Sequence, residues 1–557
     1  MEPSSCSDDK RGIRSPKIFT EAEVQKMINE GRKVVIKDGQ VLLLDKWSHR
    51  HPGGELVILH MLGRDATDEI NVYHSAETLK RMGCFAIGRI DESKPWQSIL
   101  PPIQQSPGIP TQLMPSACIT TCTESSRNGC RSRVSTPAVA EKAPVIPGPV
   151  STILEGLDAK TTSRDEFTRI AEKHEIEIDL AKMPSLEQAT QQYIMTRYRA
   201  LHEKIKTQNM YDCHYINYLK ECCRYGLLFA GFLYTLKAEW FMTSAVFLGL
   251  FWHQIMFSAH DAGHLAISHN FVIDSLIGIF IADFCCGLSL GWWKSSHNVH
   301  HLVPNHPEHD PDIQNAPLLA TSPSFFRSIK STYYGGFVFF WDKAADILVP
   351  IQKYNYYPIM AIARFNLYLL SWIHLMRKNT SSLGKARWTR PTEIAFMCCY
   401  WYWFGYCLLW CCLPSWTLRI MFVLVSHMVT FPLHIQITLS HFAMSTADLG
   451  PNESFAQKQL RTTMDVECPA WLDWIHGGLQ FQAVHHLFPR VPRHNLRQVQ
   501  SLVKVFCEET GLEYKSLGFV DGNREVLGRL GEIGRQVEFL RRCEGYVREN
   551  NVLHEVY

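Results

Sequence analysis

The chain has 557 residues, too many for a single hydrophobic core, so two or more domains are expected. Its 56 Lys and Arg residues nearly balance its 54 Asp and Glu residues, and a formal net charge of +2 excludes a nucleic acid as the main partner. The hydrophobic share, 46%, is ordinary as an average, yet a polar N-terminal third precedes a middle with long apolar runs, which places part of the chain in a lipid bilayer.

"MEPSSCSDDKRG" is polar and charged with no apolar h-region behind it, so residues 1–16 are expected to be disordered and the following domain to stay in the cytosol. Residues 17–95 read as a small α+β domain. "TEAEVQKMINEG" is a capped helix ending at Gly31, and "GRKVVIKDGQVLLLDKW" alternates around Asp38-Gly39, a type I′ hairpin signal. "HPGGE" (51–55) and "GRDATDEINVYHS" (63–75) then place His51 and His74 on separate helical segments. A six-coordinate haem takes one imidazole on each face, and Gly53-Gly54 leaves room for a flat ring beside the backbone. "HPGG" alone is equally a simple turn. His49 and His60 are read as bystanders.

Residues 96–165 turn to Ser, Thr, Pro and Ala and are expected to be a flexible linker. A charged helical segment (166–224) leads into an all-α membrane domain (225–500), followed by cytosolic C-terminal helices (501–557). Within it, 225–259 can hold two spanning helices turning near Lys237, and 393–413 with 417–439 make a second pair, four transmembrane helices in all. Two further apolar runs, 271–293 and 354–376, contain Asp274, Asp283 and Arg364, and are expected to lie in the membrane plane because buried charge makes spanning costly. The 18 cysteines fall singly or in adjacent pairs, such as Cys285-Cys286, at neither zinc nor disulfide spacings, and read as reduced.

Three histidine boxes stand at the mouths of these segments. "HDAGH" puts His260 and His264 on one helical face; "HNVHH" does the same for His297, His300 and His301; "QAVHH" repeats the spacing with Gln482, His485 and His486. Imidazoles without thiolates suit iron, copper or zinc, and seven histidines exceed what one tetrahedral zinc can use, favouring two metals. An even number of crossings between boxes would bring all three to one face. The basic "RKNTSSLGKARWTR" (377–390) marks that face as cytosolic.

With its hairpin, its two histidines and "DATDE", segment 17–90 resembles cytochrome b5, which implies His51 and His74 as the axial ligands of a haem b that passes single electrons. The boxes, the helix pairs and the fused haem domain together resemble the membrane front-end desaturases. "SHFAMSTADLG" and "WIHGGLQFQAVHHLFPRVPRHNLR" are similar to the fungal-type delta-8 sphingolipid desaturases, although Ala483-Val484 depart from the common QIEHH box. The resemblance implies two non-haem irons, a cytosolic histidine-rich cap, and dioxygen-dependent insertion of a double bond into a ceramide or sphingoid base. It also implies electrons from NADH through a separate cytochrome b5 reductase, and residence in the endoplasmic reticulum membrane. It adds His441 as a further ligand. His434 is expected to lie deeper as a packing residue, and His306 and His309 at the surface or behind the ligands. Acyl-chain desaturation, lipid hydroxylation, and a membrane-anchored haem carrier with structural zinc are the alternatives.

Overall fold

The computed structural model describes residues 17–105, 163–377 and 386–549. The expected disordered N-terminus, most of the expected linker and residues 378–385 of the basic loop lie outside the described residues.

The first domain is a four-stranded sheet of β1 (Ile18–Phe19), β2 (Val34–Lys37), β3 (Gln40–Leu43) and β4 (Ala86–Ile90). Its order is β1-β4-β3-β2, with β1 and β4 parallel and the other neighbours antiparallel. Lys37 pairs with Gln40, so the hairpin loop is two residues long, and Asp38 (φ 47°) and Gly39 (φ 71°) both take the positive φ that a type I′ turn demands. Helix α1 (Glu21–Asn29) opens on a reciprocal Thr20/Glu23 capping box. Three short helices follow, α2 (Glu55–Leu59), α3 (Thr67–Tyr73) and α4 (Ala76–Met82), sharing a core with the sheet that includes Val34, Leu42 and Ile58. The domain does not stop at residue 95. Trp96 Nε1 donates to the Gly63 carbonyl at 3.0 Å, and the Gln104 amide meets His60 Nδ1 at 3.1 Å. Trp96 and Ile99 pack against the core, so residues 96–105 belong to the domain and not to the linker.

The second body is helical. Cap helices α5 (Arg164–Lys182) and α6 (Gln188–Thr207) precede a hairpin of α7 (Tyr215–Lys237) and α8 (Phe241–Gly263). Then come α9 (Phe271–Ile279), continued by a π-helical turn to Cys285, and α10 (Leu290–Leu302). The long α11 (Gln352–Met376) is followed by α12 (Thr389–Tyr400), extended in π-helical form to Cys412, and by α13 (Trp416–Met428) with α14 (Phe431–Leu439). The cap is completed by α15 (Phe455–Thr462), α16 (Asp473–His476), α17 (Gln482–Leu487), α18 (Leu496–Thr510) and α19 (Phe519–Glu549).

Among the described residues, four helices are long and apolar enough to cross a membrane: Phe241–Gly263, Gln352–Met376, Thr389–Cys412 and Trp416–Leu439. The number matches expectation, but the membership differs in one place. Helix α7 carries Lys220, Glu221 and Arg224 in its first half, which leaves an apolar stretch of about 20 Å and keeps it out of that group. It runs back along α8, however, with Tyr225 Oη 3.0 Å from Ser258 Oγ, so the start of α7 and the end of α8 stand at one level. Helix α11 is the added candidate. It buries one stripe, from Gln352 through Tyr356, Met360, Arg364 and Tyr368 to Leu375. Arg364 is satisfied inside the protein, donating to the Cys286 carbonyl at 2.8 Å and to Tyr368 Oη at 3.0 Å, with its guanidinium 4.4 Å from the Trp252 ring. The segment Phe271–Cys285 meets Leu290–Leu302 at a bend of 115°, the geometry of a broken or re-entrant span.

Candidate functional site

The two histidines expected to ligate a haem come from two segments fixed by the backbone. His51 Nδ1 is bonded to the Gly54 carbonyl and His74 Nδ1 to the Ile70 carbonyl, each at 2.9 Å, which leaves both Nε2 atoms free to ligate. The two rings are 5.9 Å apart between centroids, separated like the two faces of one flat slot. A Cβ on Gly53 would lie 2.9 Å from the His51 ring, so glycine is needed where the chain turns behind the ligand. Burial lowers the His51 pKa and, helped by His51, pulls that of His74 down to about 3, so both imidazoles are neutral at physiological pH. These residues fit a bis-histidine haem. Among the bystanders, His49 is exposed, whereas His60 is buried.

The three boxes close into one cluster. Helix α8 ends at His260 and His264, α10 carries His297, His300 and His301, α17 carries His485 and His486, and His441 follows α14. Two groups result: His260, His264, His297 and His485 form one, and His300, His441 and His486 the other, with ligand atoms within 4.8 Å of one another in each. His301 stands between them. Its Nε2 lies 2.9 Å from His297 Nε2, and its ring stacks on His486 at 4.1 Å. Six ring nitrogens, on His260, His264, His301, His441, His485 and His486, are buried without a hydrogen-bond partner. So many orphaned acceptors in one place are costly unless a cation uses them. Burial and mutual repulsion hold His264, His441, His485 and His486 well below the usual histidine range, keeping their lone pairs available. A four-histidine and a three-histidine group fit two metal ions with nitrogen donors.

Several supporting residues carried no signal in helical phase. Asp310 accepts from His300 Nδ1 at 2.8 Å and from the Asn305 backbone at 2.7 Å, and the Asn305 amide donates to the His441 carbonyl at 2.9 Å. Gln459 Oε1 meets His486 Nδ1 at 3.0 Å, while its Nε2 donates to the His301 carbonyl at 2.9 Å. Trp293 stacks on His297 at 4.4 Å and covers His260 and His264. From α6, Tyr198 stacks on Phe488 and donates to the Leu487 carbonyl at 2.7 Å, fixing the end of α17. Gln482 is buried at the first position of α17, one turn ahead of His485 and His486. His434 lies outside both groups, its Nδ1 bonded to the Met360 carbonyl at 2.9 Å. His309 is buried rather than superficial, stacked on His306 at 4.0 Å and facing His60 at 5.0 Å.

That last contact belongs to an interface. The haem domain sits against the second box: Asn298 Nδ2 donates to the Gly53 carbonyl at 3.4 Å, and Leu302 of α10 enters the haem-domain core. Arg199 of α6 donates to Asp68 at 2.6 Å. Tyr73, the neighbour of His74, stands edge-on to His301 at 6.3 Å, and its buried hydroxyl has no partner.

Comparisons with known proteins agree with this geometry. The family described as Fatty acid desaturase matches residues 238–518, and the Cytochrome b5-like Heme/Steroid binding domain matches residues 20–91. A protein of Emericella nidulans named Delta 8-(E)-sphingolipid desaturase is 49% identical over 534 residues, covering 93% of this chain and 95% of that one. A protein of Kluyveromyces lactis with the same name is 43% identical, covering 95% and 94%. The Delta(8)-fatty-acid desaturase of Helianthus annuus is 40% identical over 58% of this chain and 67% of its own. With two histidine sites in one chain and relatives matched along nearly its whole length, this protein belongs to the fatty acid desaturase family, in a form fused to a cytochrome b5 domain.

Proposed function

We propose that this chain is a sphingolipid desaturase that inserts the delta-8 double bond, in the E configuration carried by the names of its relatives, into the long-chain base of a ceramide. The observation that carries the reading is the joining of two histidine groups beneath a docked haem domain. The overall change removes two hydrogens from adjacent methylenes and reduces dioxygen to two waters with two further electrons and two protons. Irons bound in the two groups would supply an oxidant strong enough for an unactivated C–H bond, which no side-chain base can attack.

The protein's own residues prepare that chemistry. His260, His264, His297 and His485 would hold one iron and His300, His441 and His486 the other, with His301 between them and Gln482 as a further oxygen donor. Asp310 and Gln459 fix the ring orientations of His300 and His486. The Trp293 indole shields the first group from water. His51 and His74 would hold the haem between them, and a haem with two imidazole ligands supplies single-electron transfer without oxygen binding. Tyr73, next to His74 in the chain and edge-on to His301 at 6.3 Å, lies between the haem domain and the metal site. Electrons enter from NADH through a separate reductase.

The same cluster constrains the topology. Three of the four candidate spans lie between His301 and His441, and both residues end in one cluster, so an even number of these three traverses the bilayer fully. Helix α11, with Arg364 buried near its middle, is the one we place in the membrane plane, with the boxes and the haem domain on the cytosolic face of the endoplasmic reticulum. Sphingolipid profiling of a host lacking delta-8 unsaturation tests the function. Expression of this chain should yield the trans delta-8 base, whereas hydroxylated bases or altered acyl chains alone would refute it.

A further inference from the structure

Two helical turns beneath the histidine cluster lies a second layer of buried polar groups that the metal site does not use. His253 precedes His260 by seven residues on α8, and His434 precedes His441 by seven at α14, a descent of about 10 Å along each helix. Gln254 Nε2 donates to His253 Nδ1 at 3.1 Å, which leaves the His253 Nε2–H without an acceptor and Gln254 Oε1 without a donor. Gln436 Nε2 donates to His476 Nδ1 at 2.5 Å, and Gln436 Oε1 is left unpaired. All four side chains are more than nine-tenths buried. Phe257 of α8, Leu433 of α14 and Leu479, three residues after His476, form one apolar cluster, each within a turn of the polar groups.

Buried groups of this kind are normally paired. What is missing here is one acceptor for His253 and two donors for Gln254 and Gln436. The head of a sphingoid base offers that complement, with hydroxyl and amide hydrogens to donate and oxygens to accept. Trp471 (71% exposed) and Trp474 (46% exposed) lie just before His476, exposed aromatic side chains of the kind that anchor at a membrane interface.

Resting on the desaturase reading above, we propose that His253, Gln254 and Gln436, the last held by His476, form the subsite that grips the hydroxyl and amide head of the long-chain base. The site thereby selects which carbon pair reaches the metals. The lengths agree: the carbons bearing the head groups are five to seven bonds from carbon 8, roughly 6–9 Å of extended chain, and the polar side chains are set five to seven residues before the ligands on their helices, roughly 7–10 Å below them. An apolar pocket alone would grip any chain and count poorly. A hydrogen-bonded head rejects an analogue that lacks its hydroxyl, because the site's polar atoms are then left unpaired.

The test uses the full-length protein, loaded with haem and iron, in lipid nanodiscs without reductant, so that binding is read without turnover. Short-chain ceramide is compared with the same ceramide lacking the 3-hydroxyl, for the wild type and for Gln436→Leu. The wild type should bind ceramide about tenfold more tightly than the 3-deoxy analogue. Gln436→Leu should bring that ratio to near one, with the haem spectrum and iron content unchanged, and under turnover should scatter the double bond away from the delta-8 position. Equal binding of the two lipids by the wild type would overturn the proposal, leaving buried water as the partner of these groups, and this comparison decides even if the variant does not fold. A folded Gln436→Leu that keeps the tenfold preference would overturn it as well. A wild type that converts acyl chains and no ceramide would remove the substrate reading itself, and the subsite with it.

Discussion

The two histidine sites of this chain solve opposite problems with the same side chain. The haem pocket uses two imidazoles, each tied through Nδ1 to a nearby backbone carbonyl and presented across a slot from within one short segment. The iron-type cluster draws eight imidazoles from four separate elements and is assembled only by packing of the whole helical body. A pocket built locally folds with its own domain; a cluster built from distant helices depends on every helix that carries a ligand. The first suits an electron carrier with a closed coordination sphere, and the second offers two groups of nitrogen donors that could hold two metal ions.

The largest expected effects separate the two sites. His486→Ala removes the residue that stacks on His301 and completes the three-histidine group, so product should vanish and non-haem iron should fall while the haem spectrum is retained. His51→Ala should do the reverse to the cofactors, abolishing the haem spectrum and leaving non-haem iron in place. It should also abolish product when cytochrome b5 is supplied separately, because Leu302, Asn298 and Arg199 hold the fused domain over the second box. Full activity of that variant would show that the tethered domain is dispensable.

Intermediate effects sharpen the comparison at the boundary. Tyr73→Ala should keep both cofactors yet slow reoxidation of the reduced haem by dioxygen several-fold in stopped-flow absorbance, since the aromatic contact of Tyr73, the neighbour of His74, with His301 is gone. Gln482→Ala should lower non-haem iron and product without touching the haem. Wild-type iron in that variant would show that the histidines alone make the site.

A smaller, graded effect concerns pH. The folded haem domain keeps His74 neutral down to about 3, whereas the unfolded chain takes up that proton near the ordinary histidine value of 6.5. Between those values the unfolded state binds more protons, so stability is complete above about 6.5 and declines as the pH falls toward 3. Haem-free protein melted at a series of pH values should show this decline. A melting temperature independent of pH across that window would contradict the assignment.

The difference between the sites also explains what could be read from the sequence. His51 and His74 lie in one segment with a legible hairpin and turn, so the haem site is visible from local pattern. The boxes are visible because helical spacing places their members on one face, but the division into four and three, with His301 between, depends on how α8, α10, α14 and α17 meet. Asp310 and Gln459 bear on the site from a loop and from another helix, where no periodicity points. His60 reads as a bystander and His309 as a residue at the surface or behind the ligands because each is ordinary in its own segment, and only docking brings their rings together. Helix α7 reads as a span because its apolar run is continuous with α8; Lys220, Glu221 and Arg224 shorten that run, and the packing of Tyr225 on Ser258 is what shows the hairpin returning to one level.

Metal analysis of the purified full-length chain tests the central claim most directly. The account predicts, per chain, one haem by its reduced spectrum together with two non-haem irons, the latter lost and the former kept in His486→Ala. One haem accompanied by zinc, with no non-haem iron, would contradict it and make the chain a membrane-anchored electron carrier.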